Sequence, residues 1–176
     1  PKPLVAAMKN PESVCLGPDG RMYVTEIGEF GKDGDGQVSV IEDGKAKPFA
    51  NGLDDPKWIV VFKDMFLVTD KTKVIKIDRN GKTSVFAAAE AFPTKPMFLN
   101  DIAADSGHGI VLISDSGDLM GKGGAVYRMD VRLNKIDAIA NSETIPALHT
   151  PNGVIFDGES QCLIVDFGSG VLYRVR

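Results

Sequence analysis

The chain has 176 residues, of which 43% are hydrophobic, and its formal net charge at neutral pH is −4. This length and composition are those of one globular domain with a buried core. The acidic balance argues against nucleic-acid binding, which needs clustered lysine and arginine, and no apolar run approaches the ~18 residues of a membrane-spanning helix. We therefore expect a soluble protein with neither nucleic-acid nor membrane partners. It would lie in the cytoplasm or, after removal of a leader, in the periplasm or outside the cell.

One plan of two apolar strands recurs four times along the chain. Each copy has a first strand, a tight turn, and a second strand that ends in an acidic residue. The copies begin at Pro11, Pro56, Leu99 and Pro151, and their acids are Glu26, Asp70, Asp115 and Asp166. Successive acids are 44 to 51 residues apart, a period typical of propellers and solenoids.

A third short strand follows each acid, and a fourth follows in three of the four copies. The third strands begin at Gln37, Lys73, Ala125 and Val171, and the fourth at Ala46, Thr83 and Ile136. Four short strands joined by hairpin turns are the unit of a β-propeller blade. We predict an all-β fold in which residues 1–176 form a single β-propeller domain. About four blades of four antiparallel strands are expected, at 11–55, 56–98, 99–150 and 151–176.

The ends of the chain predict how such a ring closes. Residues 2–8 resemble a fourth strand, and the last copy stops after its third strand. We expect residues 2–8 to complete the blade at 151–176, because closure hides strand edges that would otherwise be exposed. Three assemblies stay open: a four-bladed ring, a dimer that closes a larger ring, and a piece of a longer propeller.

The connections on one face of the predicted blades are long. They comprise residues 27–36, 89–98, 116–124 and 141–150. Functional groups concentrate on longer loops carried by a rigid scaffold. The first strand of each copy enters from this acidic, glycine-rich rim, and its entry residue is expected to point to the central axis of the ring. These equivalent entry residues are Glu12, Lys57, Asn100 and Asn152.

Polar side chains at the start of apolar strands favour a bound ion or bound water. Glu12, Asn100 and Asn152 supply one carboxylate and two amide oxygens, which suit one divalent metal ion, above all Ca²⁺ and also Mn²⁺ or Mg²⁺. The alternative is an ion pair between Glu12 and Lys57, with the asparagines binding channel water.

The segments PESV at Pro11, FLND at Phe98 and PNGV at Pro151 resemble the regucalcin and gluconolactonase (senescence marker protein-like lactonase) family. The resemblance covers essentially the whole chain. It implies a six-bladed lactonase dependent on calcium or zinc, with Glu12 and Asn152 as metal ligands and Asn100 near metal and substrate. Two features depart from the family: its aspartate ligand would fall beyond Arg176, and Phe98 replaces an arginine that grips the sugar. The resemblance therefore implies a shortened or partial member.

The same resemblance implies hydrolysis of a sugar lactone or similar small ester. We predict His149 as general base, from its position and because imidazole is the side chain suited to proton transfer near neutral pH. Lys57 is predicted either as a contact for a substrate hydroxyl or oxyanion or as an exposed structural lysine. The four recurring acids and Asp101 are assigned to the scaffold. Two alternatives are a non-catalytic NHL-like propeller that binds a protein or peptide, and a scaffold fragment whose self-association completes a ring.

Overall fold

The structure is a computed structural model that describes residues 1–158 and 160–176. Within these residues the chain forms fifteen β-strands and one 3₁₀ turn, so the predicted all-β class is confirmed. The strands form four antiparallel sheets of consecutive strands. No helix in the described part is long and apolar enough to cross a membrane. The chain divides into two compact units, residues 1–86 and 87–176.

The first unit contains two four-stranded sheets. One consists of β1 (Pro11–Leu16), β2 (Met22–Glu26), β3 (Gly36–Glu42) and β4 (Lys45–Leu53), and the other of β5 (Pro56–Phe62), β6 (Met65–Asp70), β7 (Lys73–Ile77) and β8 (Thr83–Ala87). Their apolar faces form one core, in which the rings of Tyr23 and Phe66 lie 4.4 Å apart. Members of this core recur at every second position, as at Val38 and Val40 of β3 and at Phe66 and Val68 of β6, so they project from one face of each strand.

The second unit contains a four-stranded and a three-stranded sheet. The first consists of β9 (Leu99–Asp105), β10 (Ile110–Asp115), β11 (Ala125–Asp130) and β12 (Lys135–Asn141), and the second of β13 (Pro151–Phe156), β14 (Cys162–Asp166) and β15 (Val171–Val175). Leu112, Val126 and Ala140 pack with Val154 and Ile164 between the two sheets. The 3₁₀ turn spans Ala89–Ala91.

Local sequence accounts for the tight turns at one end of the sheets. Asp43 and Gly44 join β3 to β4 with φ angles of 52° and 71°, and the flanking residues Glu42 and Lys45 pair directly. Two central residues with positive φ define the type I′ turn, whose twist matches that of the paired strands. All four sheets fall within the predicted blade boundaries.

The structure corrects one detail of the predicted fold, the strand formed by residues 2–8. These residues form no strand, and residues 5–8 instead line a cavity with the β3–β4 turn of the first unit. Pro3 has no backbone N–H to donate, and Ala7 and Asn10 have φ angles of 62° and 50°. Such left-handed conformations interrupt an extended strand. Enclosure of all four sheets in one ring stays a prediction.

Candidate functional site

The acid that ends the second strand of each sheet accepts backbone hydrogen bonds from the segment before the first strand. Asp70, for example, accepts from the amides of Asp54 and Asp55 at 3.0 and 2.8 Å. The equivalent donors are Lys9 to Glu26, Met97 and Phe98 to Asp115, and His149 and Thr150 to Asp166. The scaffold role predicted for these acids is confirmed, because each one fixes the start of the first strand of its sheet, which we call the inner strand.

The four acids differ in how their surroundings shift the pKa. Burial raises the pKa of Asp70 and Asp115 above the ordinary value, and their backbone hydrogen bonds compensate only in part. At Asp166 burial also raises the pKa, but the hydrogen bonds from His149 and its neighbours outweigh it and hold the pKa low. Glu26 likewise has a lowered pKa, because hydrogen bonds led by that from Ser39 outweigh burial.

A hydroxyl residue precedes three of these acids, and two of these residues, Thr25 and Ser114, join neighbouring sheets within a unit. Thr25 Oγ1 accepts from the amide of Ser13 at 3.0 Å and donates to the carbonyl of Lys57 at 2.7 Å. Ser114 Oγ accepts from the amide of Asp101 at 2.9 Å and donates to the carbonyl of Asn152 at 2.5 Å. These bonds lie at irregularities in the pairing of the inner strands, where an extra residue breaks the ladder.

The predicted site residues occupy equivalent positions in the four sheets. The first residue of each inner strand pairs with the acid at the end of the second strand. The next residue along each strand is Glu12, Lys57, Asn100 or Asn152. The structure therefore confirms that these four residues share one register position, whereas their joint role as a site stays a prediction.

In the first unit, Glu12 is exposed and Lys57 is buried, with only 4% of its surface exposed. Lys57 Nζ donates to the carbonyl of Asp55 at 3.3 Å and lies 5.4 Å from the centre of the Phe30 ring. Burial lowers the pKa of Lys57, and the carboxylates of Asp55, Glu12 and Asp70 act in the opposite direction. Lys57 is therefore not exposed, as one of the two interpretations expected, and whether its role is functional or structural stays a prediction.

In the second unit, Asn100 is buried and Asn152 is half-buried. Asn100 Nδ2 donates to Ser116 Oγ at 3.1 Å, and that hydroxyl donates to the carbonyl of Pro151 at 2.7 Å. Asp101 accepts from the amide of Val154 at 2.7 Å, so its predicted structural role is confirmed. Together these bonds hold the starts of β9 and β13 in fixed register.

His149 lies in a narrow slot between two glycines of the second unit. Its Nδ1 is 2.8 Å from Thr150 Oγ1. A Cβ atom on Gly168 would lie 2.1 Å from Nδ1, and one on Gly121 would lie 2.3 Å from Nε2. This slot was not predicted from the sequence, although the glycine-rich loops GKGG and FGSG lie on the same predicted face.

Large apolar side chains project from the loops of the second unit on this face. The exposed fractions are 51% for Met97, 51% for Leu119, 81% for Met120 and 77% for Phe167. We call these four residues the apolar rim. Leu119 and Met120 precede Gly121, and Phe167 precedes Gly168, so three members flank the glycines that contact His149. The sequence predicted only an acidic, glycine-rich face, so the apolar rim is a departure from that description in this unit.

No family model matches the sequence, and no curated protein matches it. Solved structures, in contrast, are similar to this chain in fold. A gluconolactonase from Xanthomonas campestris is 14% identical, with a TM-score of 0.77 over 97% of this chain and 59% of that one. Regucalcin from Agrobacterium tumefaciens, described as a calcium-binding protein, is 16% identical, with a TM-score of 0.65 over 94% and 60%. A chain of a nidogen–laminin complex is 18% identical, with a TM-score of 0.69 over 90% and 57%.

The fold is that of a β-propeller. At these identities the similarity to gluconolactonase and regucalcin concerns the fold alone. The chain spans about three-fifths of the length of these three solved structures.

The structure describes no group of three or more His, Cys, Asp or Glu side chains that could hold a metal ion. Of the predicted ligands, Glu12 belongs to the first unit, and Asn100 and Asn152 belong to the second. In the structure Asn100 and Asn152 lie at the starts of β9 and β13, and these two segments are linked by hydrogen bonds through Ser116. Their part in metal binding, and that of Glu12, stays a prediction.

Proposed function

We propose that the protein is a lactonase-type hydrolase that acts on a sugar lactone or a similar small ester with one divalent cation. The observation that supports this proposal is the equivalent placement of Glu12, Lys57, Asn100 and Asn152 at the start of inner strands. Polar groups there cost desolvation free energy unless they are bound or solvated. The shared fold with a gluconolactonase and with a calcium-binding regucalcin agrees with this function.

The proposed ligands of the cation are Glu12, Asn100 and Asn152. These residues offer only oxygen donors, which suit Ca²⁺ best and also Mg²⁺ or Mn²⁺, whereas Zn²⁺ favours nitrogen and sulfur. Asn100 Nδ2 donates to Ser116 Oγ, so the amide nitrogen is oriented to Ser116. The proposed ligand atom of Asn100 is the carbonyl oxygen Oδ1 at the other end of the amide. A bound cation would polarise the ester carbonyl.

His149 is the proposed general base. A neutral imidazole can take a proton from water as the water oxygen bonds to the acyl carbon of a lactone. The ring C–O bond then breaks, the imidazolium gives this proton to the leaving oxygen, and a hydroxy acid is released. The contact with Thr150 and the two glycines fix the orientation of the ring. Lys57 is proposed to donate a hydrogen bond to a substrate hydroxyl or to the oxyanion.

Activity on a panel of small lactones and esters, with Ca²⁺ present, tests this proposal. Gly168→Ala keeps His149 in the chain but forces its ring to move, because the added Cβ would overlap Nδ1. We expect kcat to fall at least about tenfold in Gly168→Ala and in His149→Gln. Gly107→Ala is the matched control, since its Cβ would meet no atom closer than 3.4 Å. Full activity in both Gly168→Ala and His149→Gln would exclude His149 as the base. No turnover of any lactone by the wild type would contradict the hydrolase.

The apolar rim supports a second candidate, a propeller that binds a protein or peptide through its long-loop face. Exposed apolar clusters of this kind mark interaction sites, and one solved structure of this fold is part of a nidogen–laminin complex. The double variant Met120→Ser, Phe167→Ser separates the two candidates. An altered KM for small lactones would assign the rim to the substrate. Unchanged kinetics, or absence of turnover in the wild type, would favour a partner.

Self-association is tested by the mass in solution over a range of concentrations.

A further inference from the structure

A cavity of about 350 Å³ lies in the second unit, between its two sheets and at the end of the strands away from His149. Strand β13 runs from Pro151, close to His149, to Phe156, which lines the cavity. None of the residues of the proposed hydrolase site lines this cavity. Its volume falls in the range of small-molecule pockets.

The inner wall of this cavity is apolar and belongs to the core. Leu112 and Cys162 are 2% and 3% exposed. Ile139, Phe156 and Val175 are half-buried and pack against the same core. Such a wall favours an apolar group over water, because the wall offers few hydrogen-bond partners.

Three arginines line the outer edge of the cavity, namely Arg128, Arg132 and Arg176. Arg128 pairs directly with Leu112 across β10 and β11, so its side chain leaves the sheet on the same face as the apolar wall. In the described part of the chain Arg128 forms no ion pair. The stem of Arg132 lies over Gly109, whose added Cβ would be 3.5 Å from Cγ, and its Nε is 4.0 Å from the carboxylate of Asp130.

Among the described residues that line the cavity, the one acidic side chain, Asp105, is already hydrogen-bonded. Asp105 Oδ2 lies 2.7 Å from His108 Nδ1, and Asp105 also accepts from the His108 amide. These hydrogen bonds lower the pKa of Asp105. Within the described lining, three guanidinium groups stand against this one carboxylate, so a ligand meets a positive charge at the open end.

We propose that this cavity binds an anionic amphiphile, a carboxylate with an alkyl chain of about eight to ten carbons. The carboxylate would accept charge-assisted hydrogen bonds from Arg128 and Arg132. The chain would lie along Leu112, Ile139 and Phe156. Nothing in this proposal depends on the proposed hydrolase.

The first test is calorimetric titration with decanoate below its micelle concentration. Decyltrimethylammonium, with the same chain and the opposite charge, is the ligand control. We expect saturable one-to-one binding of decanoate, weakened roughly tenfold or more in Arg128→Gln and in Arg132→Gln. Arg174→Gln is the matched protein control, because Arg174 is paired with Asp157 outside the cavity. Absence of saturable binding, equal binding of the cation, or equal affinity in all three variants would overturn the proposal.

A second test locates the ligand without altering the arginines. The chain has two cysteines, so Cys15→Ser leaves Cys162 in the apolar wall as the single thiol. Burial raises the pKa of Cys162, so slow reaction with a thiol reagent is expected. Decanoate should slow the reaction several-fold, and the ammonium control should not. An unchanged rate at saturating decanoate would place the ligand elsewhere and overturn the proposal.

Discussion

Replacement of Asp70 by alanine should destabilise the first unit by removing an acceptor rather than a charge. Asp70 is 1% exposed, and its Oδ1 accepts from the amides of Asp54 and Asp55. A buried donor left without an acceptor costs about 1–3 kcal/mol, and the Asp55 amide is buried whereas that of Asp54 is half-exposed. Loss of a buried carboxylate, whose pKa burial raises, offsets part of this cost. We expect a loss of about 2–3 kcal/mol in the free energy of unfolding.

The assay uses the one tryptophan of the chain. The amide of Trp58 donates to Thr69, next to Asp70, so tryptophan fluorescence during urea unfolding reports on this region of the first unit. Far-ultraviolet circular dichroism on the same samples reports on the whole chain. A lower urea midpoint with an unchanged slope would show a change in stability alone.

Two variants separate the acceptor from the charge. Asp70→Asn keeps one carbonyl oxygen that can serve both amides, so its loss should be about 1 kcal/mol or less. Asp64→Ala removes an exposed carboxylate that pairs with Arg79 at 3.2 Å, and should cost under about 0.5 kcal/mol. If Asp70→Ala lowered the free energy of unfolding as little as Asp64→Ala does, Asp70 would not act as a buried acceptor. The same conclusion would follow if Asp70→Asn lowered it as much as Asp70→Ala does.

Two further predictions concern Thr25 and Glu26 at the end of β2. Thr25→Val should lower the free energy of unfolding by about 1–3 kcal/mol, because it removes the donor to Lys57 and the acceptor of Ser13; the urea midpoint measures this, and an unchanged midpoint would contradict it. Glu26 has a folded pKa below its ordinary 4.5, so its carboxylate contributes stability above that pH and loses it as pH falls through the folded pKa. The difference in Tm between wild type and Glu26→Gln should therefore be constant near neutral pH and shrink below about pH 4.5; a difference independent of pH would show that the carboxylate charge is not involved.

The strand order and the shared register of the inner strands were predictable from the sequence because both depend on local patterns. Alternation of apolar residues, turn residues and the spacing of the acids each act over a few positions. The equivalence of Glu12 and Asn152 follows from the same count. The scaffold role of Asp70 and its counterparts was predictable because a residue that recurs in every copy serves what the copies share.

Other features depend on contacts that a linear pattern does not encode. Residues 2–8 resemble a strand in composition, but the left-handed conformation of Ala7 interrupts it. The burial of Lys57 depends on the packing of the strands around it. The apolar rim is assembled from separate loops, so Met97 and Phe167 look like isolated residues in the sequence.

Titration of Ca²⁺ into the purified protein by calorimetry tests the central proposal most directly. We predict that the wild type binds one Ca²⁺ per chain and that Glu12→Gln and Asn152→Ala each abolish this binding. Binding should be unchanged in Glu143→Gln, which alters an exposed glutamate outside the predicted ligand set. Absence of binding in the wild type, or equal binding in Glu12→Gln, would contradict the metal site and with it the proposed mechanism.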